Sequence, residues 1–260
     1  MATKIYYFTS TGNSLAVAKE FKNKLNDAEL IPIAKLINEK EIIIDCDNFG
    51  IICPLFYLSY PRLVLDFISK IKIVKCDYIF TVLTRGFKGM GGAIGYLDNL
   101  LKKKGTKLNF GTYIDMPNND VVLFDIQPKE IQQNLLNNSK ISIEKSINMV
   151  KNRKNSKKLE LLGFLRPIRQ KVYLDKLKYG YKNFYVTDDC NYCGLCSNIC
   201  PVNNISIKNQ KPIWNNLCEE CEGCINICPK KAIQYTPKTI TKGRYKHPNL
   251  KIDDLINQKI

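Results

Sequence analysis

Apolar positions in the first half of the chain change period several times. Residues 5–8 form a short apolar run, after which Leu15, Ala18, Phe21 and Leu25 recur at helical spacing. Further runs at 30–33, 49–53, 78–83 and 108–114 alternate with helical stretches at 63–71, opened by Pro61, and at 94–101. Such alternation predicts βαβ crossovers, hence a parallel sheet with helices on both faces. The expected class is α/β, a doubly wound five-stranded parallel sheet with its ligand crevice at the carboxyl ends of the strands. Residues 128–185 read as helix, running through Ile131, Leu135, Ile141 and Ile147, with a Lys/Arg/Asn-rich break at 151–158 and a second amphipathic stretch beyond. Four units follow: 1–150, a helical connector 151–185, a duplicated unit 186–236, and a polar, basic tail 237–260.

Composition excludes a disordered chain, because 260 residues with 45% hydrophobic content can bury a core. The net charge of +16 invites a nucleic-acid reading, but its location argues against one. Residues 140–185 hold 13 Lys and Arg against three Asp and Glu, whereas 186–236 hold four against five. No motif interleaves aromatics with those charges, so nucleic acid is not an expected partner. The connector sets Leu159, Leu161, Leu162, Phe164, Leu165 and Ile168 beside Arg166, Arg169 and Lys171. Its apolar face is expected to pack between the domains and its cationic face to suit an acidic redox partner; residues 159–171 are the one candidate for contact with a membrane surface. No basic leader precedes an apolar segment and no window approaches ~18 apolar residues, so a cytoplasmic protein is expected.

Eight of eleven cysteines lie between Cys190 and Cys228. Cys190-x2-Cys193-x2-Cys196-x3-Cys200-Pro201 repeats with the same spacing as Cys218-x2-Cys221-x2-Cys224-x3-Cys228-Pro229. Three thiolates at intervals of three can wrap three corners of a 4Fe-4S cube, while the fourth, beside a chain-turning proline, points to the other cube. The expected ligand sets therefore cross: Cys190, Cys193, Cys196 and Cys228 for one cluster, and Cys218, Cys221, Cys224 and Cys200 for the other. Gly194 and Gly223 are expected to let the backbone curl around sulfur. Zinc would want two separated cysteine pairs, and disulfides an oxidising compartment that nothing supports. Residues 186–236 resemble a two-cluster bacterial ferredoxin, which implies one-electron transfer.

After the first apolar run comes Thr9-Ser10-Thr11-Gly12-Asn13-Ser14, then a helix. Hydroxyls and free N–H groups at a strand-to-helix turn make an anion nest. Without a GxxxxGK[ST] or GxGxxG pattern, the loop suits a monophosphate better than a triphosphate or dinucleotide. An ordinary Ser/Thr-rich helix cap is the alternative. Two further strand ends face the same crevice. Pro54, Leu55, Phe56 and Tyr57 offer aromatics for a flat ring, and Thr84, Arg85 and Gly86 begin a Gly-rich loop running to Gly92 that would let backbone approach the ring edge.

With these loops in view, residues 1 to about 139 resemble flavodoxins, whose Thr-x-Thr-Gly-Asn-Ser/Thr loop grips the phosphate of FMN. The whole chain resembles the flavodoxin and 4Fe-4S ferredoxin fusion proteins of anaerobic prokaryotes. Matching features are Pro54-Leu55-Phe56-Tyr57 with Pro61-Arg62, Met116-Pro117-Asn118-Asn119, Phe184-Tyr185-Val186, and residues 243–248 of the tail. Arg85 and Phe87 depart from the small or acidic residues usual in flavodoxins. The resemblance implies FMN and two 4Fe-4S clusters, and an electron-transfer protein that converts between one-electron and two-electron carriers. A flavoenzyme reducing a small substrate and a flavin-free redox sensor are the alternatives. Cys46, Cys53 and Cys76 lie outside cluster spacing and read as small hydrophobes. His247, the single histidine, has no evident catalytic partner.

Overall fold

A computed structural model describes residues 2–88, 91–158, 160 and 163–259. The first part of the chain runs β1 (Thr3–Tyr7), α1 (Asn13–Lys24), β2 (Ala28–Pro32), β3 (Ile42–Asp45), β4 (Asn48–Pro54), α2 (Arg62–Lys70), β5 (Ile71–Lys75), β6 (Tyr78–Arg85), α3 (Ala93–Lys102), β7 (Phe110–Asp115), α4 (Lys129–Lys151) and β8 (Ser156–Lys157). Among the described residues the main sheet has the order β2-β1-β4-β6-β7-β8, all parallel. Counting its first five strands in chain order gives 2-1-3-4-5, the flavodoxin-like doubly wound arrangement. The strand order reverses between β1 and β4, which opens a crevice at their carboxyl ends.

Alternation along the strands divides the core. Ile5 and Tyr7 face α1 and α4, whereas Tyr6 and Phe8 face α2 and α3. β6 repeats the division, with Phe80 and Val82 on the first side and Ile79 and Leu83 on the second. A period of two places successive side chains on opposite faces, so runs that look uniformly apolar serve two helical layers at once.

Two features depart from the five-strand expectation. Ser156 and Lys157 sit in the basic break yet pair with Phe110 and Gly111, adding β8 as a sixth strand. β3 and β5 form a separate parallel pair, with Ile42 opposite Ile71.

The second part comprises α5 (Arg166–Tyr179), β9 (Tyr185–Val186), α6 (Leu195–Asn198), β10 (Ile205–Lys208), β11 (Lys211–Trp214), α7 (Gly223–Ile227), β12 (Ile233–Gln234) and α8 (Ile252–Ile256). A third core joins Phe184, Val202, Ile205, Trp214, Ile225, Ile233 and Tyr235, and it includes Val121 from the loop after β7. Of the connector's expected apolar face, Phe164 is 73% and Ile168 65% exposed, and Leu165 is half-buried. Tyr173 and Leu177, one and two turns further along α5, are buried instead, and Tyr173 OH donates to the Glu219 carbonyl of the cysteine unit at 3.3 Å. Leu159, Leu161 and Leu162, like Gly89 and Met90, lie outside the described residues. The tail contributes Leu250 and Leu255 to the core beside α1, despite its polar composition. Among the described residues no helix is long and apolar enough to cross a membrane.

Candidate functional site

The loop 9–14 leaves β1 and enters α1 with Gly12 at φ 105°, a backbone that L side chains rarely adopt. The Gly12 N–H donates to Thr9 Oγ1 at 3.1 Å, and Ser14 Oγ shares a hydrogen bond with Thr84 Oγ1 at 2.8 Å. Asn13 Nδ2 donates to the Pro117 carbonyl at 2.9 Å. Thr11 Oγ1 is buried and has no hydrogen-bond partner among the described residues. A buried hydroxyl without a partner is costly unless something else satisfies it, so its position in an anion nest fits a phosphate.

The loop borders a cavity of ≈ 270 Å³ at the carboxyl ends of the strands. Thr9, Ser10, Thr11, Asn13, Ser14, Pro54, Leu55, Phe56, Tyr57, Thr84, Arg85 and Gly86 all line it; of the cofactor-binding residues named from the sequence only Gly12 does not, because it packs under the tail. Tyr57 (φ 48°) and Leu58 (φ 62°) are both left-handed, in a turn closed by reciprocal Phe56 and Ser59 backbone bonds at 2.9 and 2.7 Å. Holding two bulky residues there costs about 1–2 kcal/mol each, and the turn presents Tyr57 to the cavity.

The Gly-rich loop is used differently from expectation beyond Gly86. The N–H groups of Gly92, Ile94 and Gly95 donate to the Glu160 carboxylate at 2.7, 2.8 and 2.9 Å, and Tyr113 OH bonds the same group. The start of α3 is thus filled by a carboxylate from the connector, as its positive end favours. Arg85 turns back along the sheet end, with Nε 2.6 Å from Asp115 Oδ1 and its guanidinium 4.7 Å from the Tyr113 ring centroid.

Sequence reasoning missed the wall that the second part of the chain supplies. Arg169, Tyr173 and Lys176 of α5 and Glu220, Cys221 and Glu222 also line the cavity, as does Asp120 from the loop after β7. Tyr173 stacks on Tyr57 with centroids 5.4 Å apart. Burial alone would lower the Lys176 ammonium, but Glu220 at 2.5 Å more than offsets it and holds the group above its ordinary value. Burial pushes the Glu222 carboxyl well up, and Asp120 beside it pushes the same way.

The eight repeat cysteines ring two smaller cavities. Cys200, Cys218, Cys221 and Cys224 line one, and Cys190, Cys193, Cys196 and Cys228 line the other. Among the described residues no three His, Cys, Asp or Glu groups are placed to hold a single metal ion; the two rings of four sulfurs have the donor set of cubes. In the inner ring Cys200 accepts the Asn204 N–H at 3.3 Å, Cys218 the Glu220 N–H at 3.4 Å, and Cys224 the Trp214 indole N–H at 3.4 Å. Such bonds to sulfur tune a cluster's potential. Burial pushes the Cys218 thiol up to about 12, so iron would have to displace its proton. The outer ring opens to solvent at exposed Cys193.

The curl around sulfur is asymmetric between the copies. Gly194 is left-handed at φ 71° as expected, but in the second copy the equivalent position, the one after the middle cysteine, is Glu222 at φ 59°. Gly223 stands one residue later inside α7 and is needed for close approach to another loop. The strained glutamate is held by the Val121 and Val122 N–H groups, which donate to its Oε2 at 2.7 and 3.1 Å.

Residues 184–206 match the 4Fe-4S binding domain family, a segment that contains Cys190, Cys193, Cys196 and Cys200. The chain joins a flavodoxin-like fold to a 4Fe-4S binding domain. No curated protein matched it. Among solved structures, it is similar to an FMN-dependent NADH-azoreductase from Bacillus anthracis (12% identity, 58% of this chain and 99% of that one, TM-score 0.41). It is also similar to a flavodoxin from Streptococcus pneumonia (12%, 57% and 98%, TM-score 0.36) and a flavoprotein described as putative from Bacteroides uniformis (17%, 44% and 90%, TM-score 0.36). At these scores the fold assignment rests on the strand order itself. The 4Fe-4S domain makes a redox role the coarse function of the chain.

Of the remaining cysteines, Cys53 is fully buried, as expected of a small hydrophobe, whereas Cys46 and Cys76 lie together and the Cys76 thiol holds Cys46 below its ordinary value. His247 is buried, which lowers it to about 4.

Proposed function

We propose that the chain is an electron-transfer protein that passes electrons between two 4Fe-4S clusters and FMN, converting between one-electron and two-electron carriers. One observation carries this reading: Cys221 stands on the wall of both the inner cysteine cavity and the large cavity at the strand ends. A ligand of one centre is therefore a wall of the other.

Ser10, Thr11, Asn13 and Ser14 would hold the FMN phosphate, and Tyr57, braced by Tyr173, would lie against the ring. Cys200, Cys218, Cys221 and Cys224 would hold the inner cluster, and Cys190, Cys193, Cys196 and Cys228 the outer. Bound there, the cubes exchange single electrons and the flavin one or two. The chain's own residues set the order in space, with Cys193 at the surface, Cys221 at the junction and Tyr57 in the crevice. Glu219, Glu220 and Glu222 exclude water from the junction by being buried in ion pairs and hydrogen bonds. Exposed Arg169 and Lys171 on α5, with exposed Lys208, Lys211 and Lys230 next in the chain to Ile207, Pro212 and Pro229 of the outer cavity wall, suit an acidic carrier as the external partner. Eight cysteines committed to iron rather than to disulfides suit a reducing setting such as the cytoplasm.

Anaerobic purification with cofactor analysis tests the proposal. The expected result is about eight irons, eight sulfides and one FMN per chain; iron without flavin would refute it.

A further inference from the structure

We infer that Gln258, in the C-terminal tail, is a positioning residue for the phosphate loop, through which the chain discriminates FMN from unphosphorylated flavin. This rests on the FMN reading above.

Thr9 is the point at which the chain leaves the sheet. Phe8 still donates its N–H to Ile52 at 3.1 Å, but among the described residues Thr9 has no strand partner for its own backbone groups, and it is 1% exposed. Buried backbone groups need partners. Gln258 supplies both: its Oε1 accepts the Thr9 N–H at 3.3 Å and its Nε2 donates to the Thr9 carbonyl at 2.8 Å. Gln258 is itself 1% exposed and lines the inner cysteine cavity. One side chain, 249 positions away, thus satisfies the backbone of the first loop residue on both sides.

The consequence travels along the loop. With its backbone clasped, Thr9 keeps its hydroxyl where it accepts the Gly12 N–H, which folds residues 9–12 into a turn. Thr11 is held by the tail as well, since its carbonyl accepts the His247 N–H at 2.9 Å. Asn13 Oδ1 accepts Tyr245 OH at 2.7 Å. Protein groups thus hold Thr9, Gly12, the Thr11 carbonyl and the Asn13 side chain in place, whereas the Thr11 hydroxyl, 1% exposed, has no partner among the described residues. That hydroxyl, at the start of a 12-residue helix, is the donor a phosphate monoester would meet. The tail is also anchored away from the loop, by Leu255 in the core, by Lys19–Asp254 at 2.7 Å, and by Lys259 Nζ donating to the Ser197 carbonyl at 3.1 Å.

The experiment compares FMN and riboflavin binding to the full, anaerobically reconstituted chain by flavin fluorescence, for the wild type, Gln258→Ala, Gln258→Glu and Tyr245→Phe. Far-UV circular dichroism and cluster absorbance check the fold. Gln258→Ala should lower the FMN-to-riboflavin affinity ratio at least tenfold with riboflavin binding nearly unchanged, because the ring contacts lie on other loops. Gln258→Glu keeps the acceptor for Thr9 N–H but sets an oxygen against the Thr9 carbonyl, and should lower the ratio in the same way. Tyr245→Phe should lower it less. An unchanged ratio in Gln258→Ala, even with both affinities reduced, overturns the inference while leaving the FMN reading intact. If Gln258→Ala does not fold, an unchanged ratio in Gln258→Glu overturns it. A wild type that binds neither flavin refutes the FMN reading, and this inference with it.

Discussion

A side-chain carbon on Gly223 would stand 3.2 Å from the carbonyl oxygen of Ser10. The loop that carries Cys221 and Cys224 and the loop after β1 thus approach through backbone, closely enough that a side chain at 223 would press on the Ser10 carbonyl. Gly223→Val should cost about 1–3 kcal/mol of overpacking, expressed partly as weaker FMN binding, with iron content retained. Fluorescence titration beside an iron assay checks this; FMN affinity equal to the wild type's would show that the contact does not constrain the flavin loop.

The two sulfur rings predict a pattern of non-additivity. Cys190→Ser and Cys228→Ser should each lower iron from about eight to about four per chain, and the pair together should lose little more, since both line the outer cavity. Cys190→Ser with Cys200→Ser should lose nearly all of it, because Cys200 lines the inner one. Iron analysis and electron paramagnetic resonance of the reduced variants decide the matter, and the opposite pairing of losses would mean that the ligand sets do not cross.

Arg62 holds a buried carboxylate beside the inner ring. Its Nη2 lies 2.7 Å from Glu219 Oε1, and the Glu219 side chain is 2% exposed. Burial pushes the Glu219 carboxyl up and Arg62 only partly offsets this. Arg62→Met should therefore destabilise by about 3–5 kcal/mol, the typical cost of stranding one partner of a buried pair. Adding Glu219→Gln should recover part of the loss, as urea unfolding of the single and double variants would register; a single variant as stable as the wild type would contradict the argument.

His247 makes stability depend on pH. Burial lowers it from 6.5 to about 4, and its Nδ1 accepts the Asn249 N–H at 3.2 Å, which requires the neutral ring. Between those values the unfolded chain binds a proton that the folded protein excludes, so stability falls as pH falls from 6.5 towards 4. The full effect is on the order of 3 kcal/mol. His247→Gln should flatten the slope in this window relative to the wild type, measured by denaturant unfolding at pH 7 and 4.5; equal losses in both proteins would show that other groups carry the acid sensitivity.

Much of this was legible because it depends on neighbours in the chain. The Leu15, Ala18 and Phe21 spacing made α1, the apolar runs made the central strands, and the loop 9–14 between them had only one place to go. β8 was not legible, since Ser156 and Lys157 have no strand character of their own and pair only because β7 offers an open edge. Glu222 escaped notice for a related reason. Its left-handed backbone follows from its place after Cys221, and a nearby glycine drew the expectation one residue too far.

By itself the amino-acid sequence determined the doubly wound sheet, the nest after β1 and the two sets of cysteines, because strand and helix periodicity and ligand spacing are local properties. Only the tertiary structure decided that the two halves share a wall at Cys221, that Tyr173 and Lys176 of the basic connector face the crevice, and that Gln258 closes on Thr9. Those contacts join residues up to 249 positions apart. No local pattern encodes them, because they arise from packing the connector, the cysteine unit and the tail against the carboxyl ends of one sheet.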